Sequence, residues 1–186
     1  MLVLMCCLPS WQALATGEIE RLIKPAERAR LKQFDAIRKT ALEQAHLSNS
    51  ASDVATLDAV LARKPIFFSG FDMTGNWQCR VIKTDGTSPL VIADWGKCRV
   101  TDDGSGWRLE MLTGSQRTSG RFFTDSDTRL TYLGTRHFAS EKPQRYPLGP
   151  GRDEVGYTFR TGTDEWRIEL PARRYESAFD ILEFKR

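Results

Sequence analysis

No block of five or six like charges occurs anywhere in the 186 residues, and 27 lysines and arginines stand against 24 aspartates and glutamates. A net charge of +3 spread in this way argues against a dedicated nucleic-acid surface. Long hydrophobic runs are missing as well. The apolar run Met1 to Leu8 falls far short of the roughly 20 residues a helix needs to cross a bilayer, so no transmembrane segment is expected. Histidine is scarce, with only His46 and His137, and neither has a sequence neighbour that suggests a triad. The segment Gly114 to Gly120 lacks the spacing of a nucleophile elbow, and there is no His-Glu-x-x-His. Asp125-Ser126-Asp127 lacks the glycine and distal glutamate of a calcium loop. Cys79 and Cys98 are 19 apart and the two histidines lie in other regions, so no metal-ligand spacing arises. Neither a metal nor another cofactor is expected.

What the chain does contain is enough apolar residue, 40%, to bury the core of one globular domain. Its start, MLVLMCCL followed by Pro9, Ser10 and the triplet Ala13-Leu14-Ala15, reads as the apolar part of a secretory leader with an A-x-A cleavage site. The basic residue that usually opens such a leader is absent, the first being Arg21. A lipoprotein reading through Cys6 or Cys7 is weaker, because the apolar run ahead of either is too short. Residues 1–15 are thus expected to be removed, leaving a periplasmic or secreted chain that begins at Thr16. Of the four cysteines, Cys79 and Cys98 then remain, and an even pair in an oxidising compartment points to a disulfide. Such a bridge closes a loop of about 20 residues and contributes on the order of 3 kcal/mol by restricting the unfolded chain.

Periodicity divides the rest. From Pro25 to about Leu47, Leu31, Phe34, Arg38, Ala41, Leu42 and Ala45 recur at three and four, predicting an amphipathic helix with Pro25 in its first turn. A polar break follows. Val54, Leu57, Val60 and Leu61 then mark a second helix, capped by Ser52 or Asp53 and ending near Lys64-Pro65. Beyond Pro65 the period becomes two: Trp77, Cys79 and Val81; Cys98 and Val100; Trp107, Leu109 and Met111; Leu130 and Tyr132; Tyr157 and Phe159; Trp166, Ile168 and Leu170; and a last apolar strand from Phe179 to Phe184. With Leu90 to Ala93 and Ser119 to Phe123 this gives seven or eight short strands joined by turns such as Asp85-Gly86 and Asp103-Gly104. The fold class expected is therefore mostly β: a seven- or eight-stranded antiparallel meander or lipocalin-like barrel over residues 66–186, preceded by two α-helices within residues 16–65. Trp77, Trp107, Trp166, Ile168, Tyr157 and Phe159 are the expected core. Both cysteines sit on the apolar phase of neighbouring strands, which places their sulfurs on one face.

Thr113-Gly114-Ser115-Gln116-Arg117 interrupts the alternation and gathers a glycine, two hydroxyls, an amide and a guanidinium into one candidate binding loop. It also reads, with slightly more weight, as a hairpin turn whose side chains tie it to its own barrel. The two readings differ in what Arg117→Ala does: a binding residue loses its partner at unchanged stability, whereas a structural one lowers the melting temperature.

Cys79-Arg80-Val81-Ile82-Lys83, the second Cys98-Arg99 pair, Leu112 to Arg117 with Gly120, Tyr132-Leu133-Gly134, Asp153-x-Val155-Gly156 and Arg174-Tyr175-Glu176-Ser177 together resemble an alphaproteobacterial family known as domain of unknown function 4893. That resemblance implies a small exported protein without an assigned activity. Gly75-Asn76-Trp77 is similar, more loosely, to the Gly-x-Trp of lipocalins and of single-disulfide barrel inhibitors of bacterial proteases. Two function classes follow. One is a non-enzymatic binding or interaction barrel of the cell envelope, inhibitor-like in one form, taking a small apolar ligand, a glycan or an envelope protein as partner. The other is an envelope hydrolase whose catalytic groups come together only in space.

Overall fold

The computed structural model describes residues 13–149, 151–172 and 177–186. Met1 to Leu8, the expected leader, and Arg174 to Glu176 of the quoted tail lie outside them. Four helices come first: α1 (Ala13–Leu22), α2 (Pro25–Lys32), α3 (Phe34–Ala45) and α4 (Ala51–Ala62). Nine strands follow: β1 (Gly75–Thr84), β2 (Leu90–Ile92), β3 (Gly96–Asp102), β4 (Trp107–Met111), β5 (Gln116–Ser126), β6 (Arg129–Phe138), β7 (Asp153–Arg160), β8 (Glu165–Pro171) and β9 (Phe179–Lys185).

All neighbouring strands are antiparallel, and β1, besides β3, pairs with β9 from Gln78–Lys185 to Thr84–Phe179. Eight strands thereby close into a barrel, with β2 as an extra strand on the upper half of β1. Closure removes the sheet edges that an open meander would expose. β2 and β3 lie on the same side of β1. Between the pairs Ile82–Ile92 and Cys79–Gly96, β1 advances three residues and its partner four, so residues 93–95 hold a one-residue bulge.

The inner phase of the strands carries the main core: Trp77, Cys79, Cys98, Val100, Leu109, Met111, Phe122, Leu130, Tyr132, Trp166, Ile168, Leu170, Leu182 and Phe184. Tyr132 lies across Gly120 and Gly134 on adjacent strands, where a Cβ on either glycine would overlap its ring. One end is sealed by aromatics. Trp166 stacks on Phe184 at 3.6 Å and meets Trp77 edge-on at 5.6 Å. The Trp77 Nε1 donates to Met73 O at 2.8 Å, and the Arg186 guanidinium lies 4.3 Å from its ring. Arg186 also bonds Asp164 Oδ1 and Thr74 O, drawing the chain end across this seal.

Two expectations change here. Tyr157 and Phe159 fall on the outer phase of β7, whose inner phase is Glu154, Gly156 and Thr158; Tyr157 packs instead against Phe34 of α3 at 4.8 Å. The helices cover part of the barrel's outside, so on β7 the outer phase is the apolar one and alternation does not distinguish inside from outside. Trp107 is half-buried at the edge of the inner core, while Trp77, Trp166 and Ile168 lie within it.

The two expected helices are four. The run from Pro25 breaks at Gln33 (φ −100°, ψ 6°), which ends α2 and caps α3. The break lets α2 lie on β7 while α3 turns its Phe34, Ala41 and Ala45 stripe toward β1, β8 and β9. α4 is capped by Ser50, not Ser52 or Asp53: the Ser50 Oγ accepts from Asp53 N at 3.3 Å, which starts the helix at Ala51. α1 runs through the Ala13-Leu14-Ala15 triplet and packs on β5. Buried charges join helices to barrel. Glu169 accepts from Arg38 and Arg167, each at 2.7 Å, and Glu183 from Arg80 at 2.7 Å and Arg63 at 2.9 Å.

Candidate functional site at the open end of the barrel

Opposite the aromatic seal, the inner phase turns polar. Lys83 continues the line Trp77-Cys79-Val81 on β1, Asp180 continues Leu182 and Phe184 on β9, and Glu154 continues Thr158 and Gly156 on β7. Gln116 and Thr118 of β5 and Arg136 of β6 complete a polar collar. Below it lie Cys79, Val81, Met111, Leu170 and Leu182. Collar and floor enclose a cavity of about 520 Å³, within the range usual for small-molecule sites.

The collar is held by hydrogen bonds. Gln116 Oε1 accepts from Lys83 Nζ at 3.3 Å and from Arg136 Nη1 at 3.2 Å, so two cations converge on one amide oxygen. Thr118 Oγ1 lies 2.5 Å from Glu154 Oε2, to which it donates, and 2.7 Å from the Tyr132 hydroxyl. Burial, with the Glu154 carboxylate beside it, pushes the Tyr132 phenol well above its ordinary range. Tyr132 therefore stays protonated as a fixed donor beneath the collar. A floor of apolar side chains and a disulfide under a rim of donors and acceptors suits a ligand with one apolar and one hydrogen-bonding part.

Cys79 and Cys98 are disulfide-bonded, with Cα atoms 5.9 Å apart. Trp77 is the residue opposite Cys98 and Cys79 is opposite Gly96, so the bridge runs diagonally across the β1–β3 ladder. It pins the point at which β1 changes partner from β3 to the bulge, and Cys79 forms part of the cavity floor.

The five residues of the candidate loop separate. Thr113, Gly114 and Ser115 make the turn, with Gly114 at φ +94°. Thr113 Oγ1 accepts from Lys97 N at 2.8 Å, and Ser115 O accepts from Ala139 N at 2.9 Å. Gln116 and Arg117 already belong to β5. Gln116 points into the cavity, whereas Arg117 is on the outer phase opposite His137 and donates from Nε to Gly114 O at 3.0 Å. All five border the cavity mouth.

Periodicity did not single out Lys83, Thr118, Arg136, Glu154 or Asp180. A signal was present, since Lys83 and Asp180 are polar residues on an otherwise apolar strand phase, and such a residue points either at solvent or at a cavity. Among the described residues no three His, Cys, Asp or Glu side chains converge as metal ligands. Among them, too, no helix is long and apolar enough to cross a membrane.

A family model for a domain of unknown function, DUF4893, matches residues 20–184. The chain belongs to this family. The match spans α2 to α4 and the barrel up to Phe184, so the open-end cavity of the DUF4893 barrel lies inside the family region. No curated protein and no solved structure matched the chain.

Proposed function

We propose that this DUF4893 protein is an exported, non-enzymatic binding barrel of the cell envelope that holds its ligand in the open-end cavity. The observation that carries the reading is the cavity itself, about 520 Å³ with an apolar floor and a polar collar in which Gln116 is bonded to Lys83 and Arg136, and Thr118 to Glu154. A collar held in this way is preorganised, so little side-chain order remains to be lost on binding. The Cys79–Cys98 disulfide and the apolar start of the chain support residence in an oxidising compartment. Export predicts a mature chain beginning at Thr16 in the periplasmic fraction, read by N-terminal sequencing; an intact Met1 on cytosolic protein contradicts it.

The binding test uses an anilinonaphthalene sulfonate dye, whose aromatic body and charged end match floor and collar. The expected result is saturable binding that Met111→Trp, which fills the floor, abolishes while the melting temperature holds. Absence of saturable binding, or binding indifferent to Met111→Trp, removes the cavity as the site. A panel of ester, glycoside and peptide substrates is expected to show no turnover; hydrolysis of any member replaces binding with catalysis.

A further inference from the structure

The wall of the barrel has a break beside the cavity. β4 ends at Met111; Leu112 N still reaches Lys97 O at 2.8 Å, and Thr113 Oγ1 then takes the Lys97 N–H. Gly96 sits so close to Thr113 that a Cβ there would overlap its hydroxyl, and the chain turns away at Gly114. The ladder on that side of β3 stops there. Above it β2 has β1 on one side and, among the described residues, no strand on the other.

The ladder also identifies which backbone groups face the break. Ala93 N donates to Val81 O at 2.9 Å and Asp85 N to Pro89 O at 3.0 Å. Hydrogen-bonded pairs alternate along an antiparallel ladder, so Lys83–Val91 is the pair between these two. Leu90 and Ile92 therefore belong to the non-hydrogen-bonded pairs and turn their N–H and C=O groups away from β1. Their side chains lie against the helices, Leu90 within the cluster that holds Phe34, Leu57 and Val60. Val91 and Ala93 border the cavity from one side, and the Thr113–Gln116 segment borders it from the other.

We propose that this break receives an extended peptide, which adds as a strand to the Leu90 and Ile92 backbone groups and sends one large apolar side chain into the open-end cavity. The proposal rests on the binding reading above and names the ligand class. Two donor–acceptor pairs, two residues apart on one edge, match the repeat of an extended backbone at about 3.4 Å per residue; an acyl chain or a glycan carries no such repeat. Side chains of an added strand alternate. Those opposite Val91 and Ala93 point inward, over the apolar floor of Val81, Met111 and Leu182.

The test is carried out on the full chain with a pool of acetylated, amidated hexapeptides that have Leu, Phe or Met fixed at an inner position. Amide exchange by NMR is expected to slow at least about tenfold at Leu90 and Ile92 when peptide binds, the size of one added hydrogen bond, with Val91 unchanged. N-methylating the peptide amides that face β2 is expected to weaken binding at least about tenfold. Peptides that bind without slowing those two amides, or dye that binds where no peptide does, overturn strand addition and leave the cavity reading standing. Failure of both dye and peptide removes both. Leu90 and Ile92 amides already protected in the chain without peptide also overturn the proposal, because the edge is then covered by the protein itself.

Discussion

Gly96 and Thr113 show how one atom decides the shape of the cavity rim. The Thr113 hydroxyl takes the Lys97 N–H only because Gly96 leaves room for it. Gly96→Ala is expected to displace that hydroxyl and lower stability by about 1–3 kcal/mol in urea denaturation. Thr113→Ala alone is expected to cost about 1 kcal/mol, and adding it to Gly96→Ala to cost little more, because the same contact is lost twice. Additive losses would show that the two do not share a contact. His137, opposite Arg117, offers a second test. Burial, then the nearby Arg117 guanidinium, lowers its pKa below the ordinary 6.5, against the raising influence of a Thr135 backbone bond, Glu110 and Glu141. The folded state thus binds fewer protons than the unfolded chain just below pH 6.5. His137 accordingly leaves stability whole above pH 6.5 and erodes it as the pH falls below that value. Arg117→Gln is expected to raise the His137 pKa, followed by the imidazole resonances in an NMR titration; an unchanged value means that Arg117 does not act on the ring.

At the scale of elements, the helices are held to the barrel by apolar stripes and by buried ion pairs. Arg167 is 5% exposed and spans from Glu169 to the carbonyls of Val60 and Arg63 at the end of α4. Glu169 also holds Arg38 of α3, so this one carboxylate ties two helices to β8. Glu169→Ala strands Arg167 without its carboxylate, and the expected loss is about 3 kcal/mol in chemical denaturation. Lys39→Ala, which breaks an exposed pair with Glu43 on α3, is expected to change stability by only a few tenths of a kcal/mol. Equal effects would mean that burial does not matter to these pairs. The strands were legible because period two survives burial on one face: Trp77, Cys79 and Val81, or Trp166, Ile168 and Leu170. The division of the long helix at Gln33 was not, since Gln33 is an ordinary helix residue and the two halves separate to meet different strands, α2 on β7 and α3 on β1, β8 and β9.

For the whole molecule, the aromatic seal at one end and the polar collar at the other make the barrel a cup with a side opening. The disulfide holds the wall where β1 exchanges β3 for the bulge. Replacing Cys79 and Cys98 together by Ala is expected to lower stability by about 3 kcal/mol, measured against the parent with reductant absent from both samples. The same pair of substitutions is expected to weaken dye binding, since Cys79 belongs to the cavity floor. Unchanged stability and binding would assign the bridge no part in either.

The residue pattern alone determined the β class, the turn positions and the pairing of Cys79 with Cys98, because each depends on alternation along a strand or on local turn chemistry. It also singled out Thr113 to Arg117 as a loop, and the structure sets these residues at the border of the cavity. Only the tertiary structure decided which face of each strand is inside, since helices on the outside can make the outer face the apolar one, as at Tyr157. Only it assembled Lys83, Gln116, Thr118, Arg136, Glu154 and Asp180 into one collar, because these residues come from five strands and meet through closure of β1 on β9. That β2 has, among the described residues, no second strand beside it is likewise a tertiary property. It exists because β4 stops at Met111 while β1 and β2 continue, and strand ends of unequal length in space leave no mark on the period of either strand.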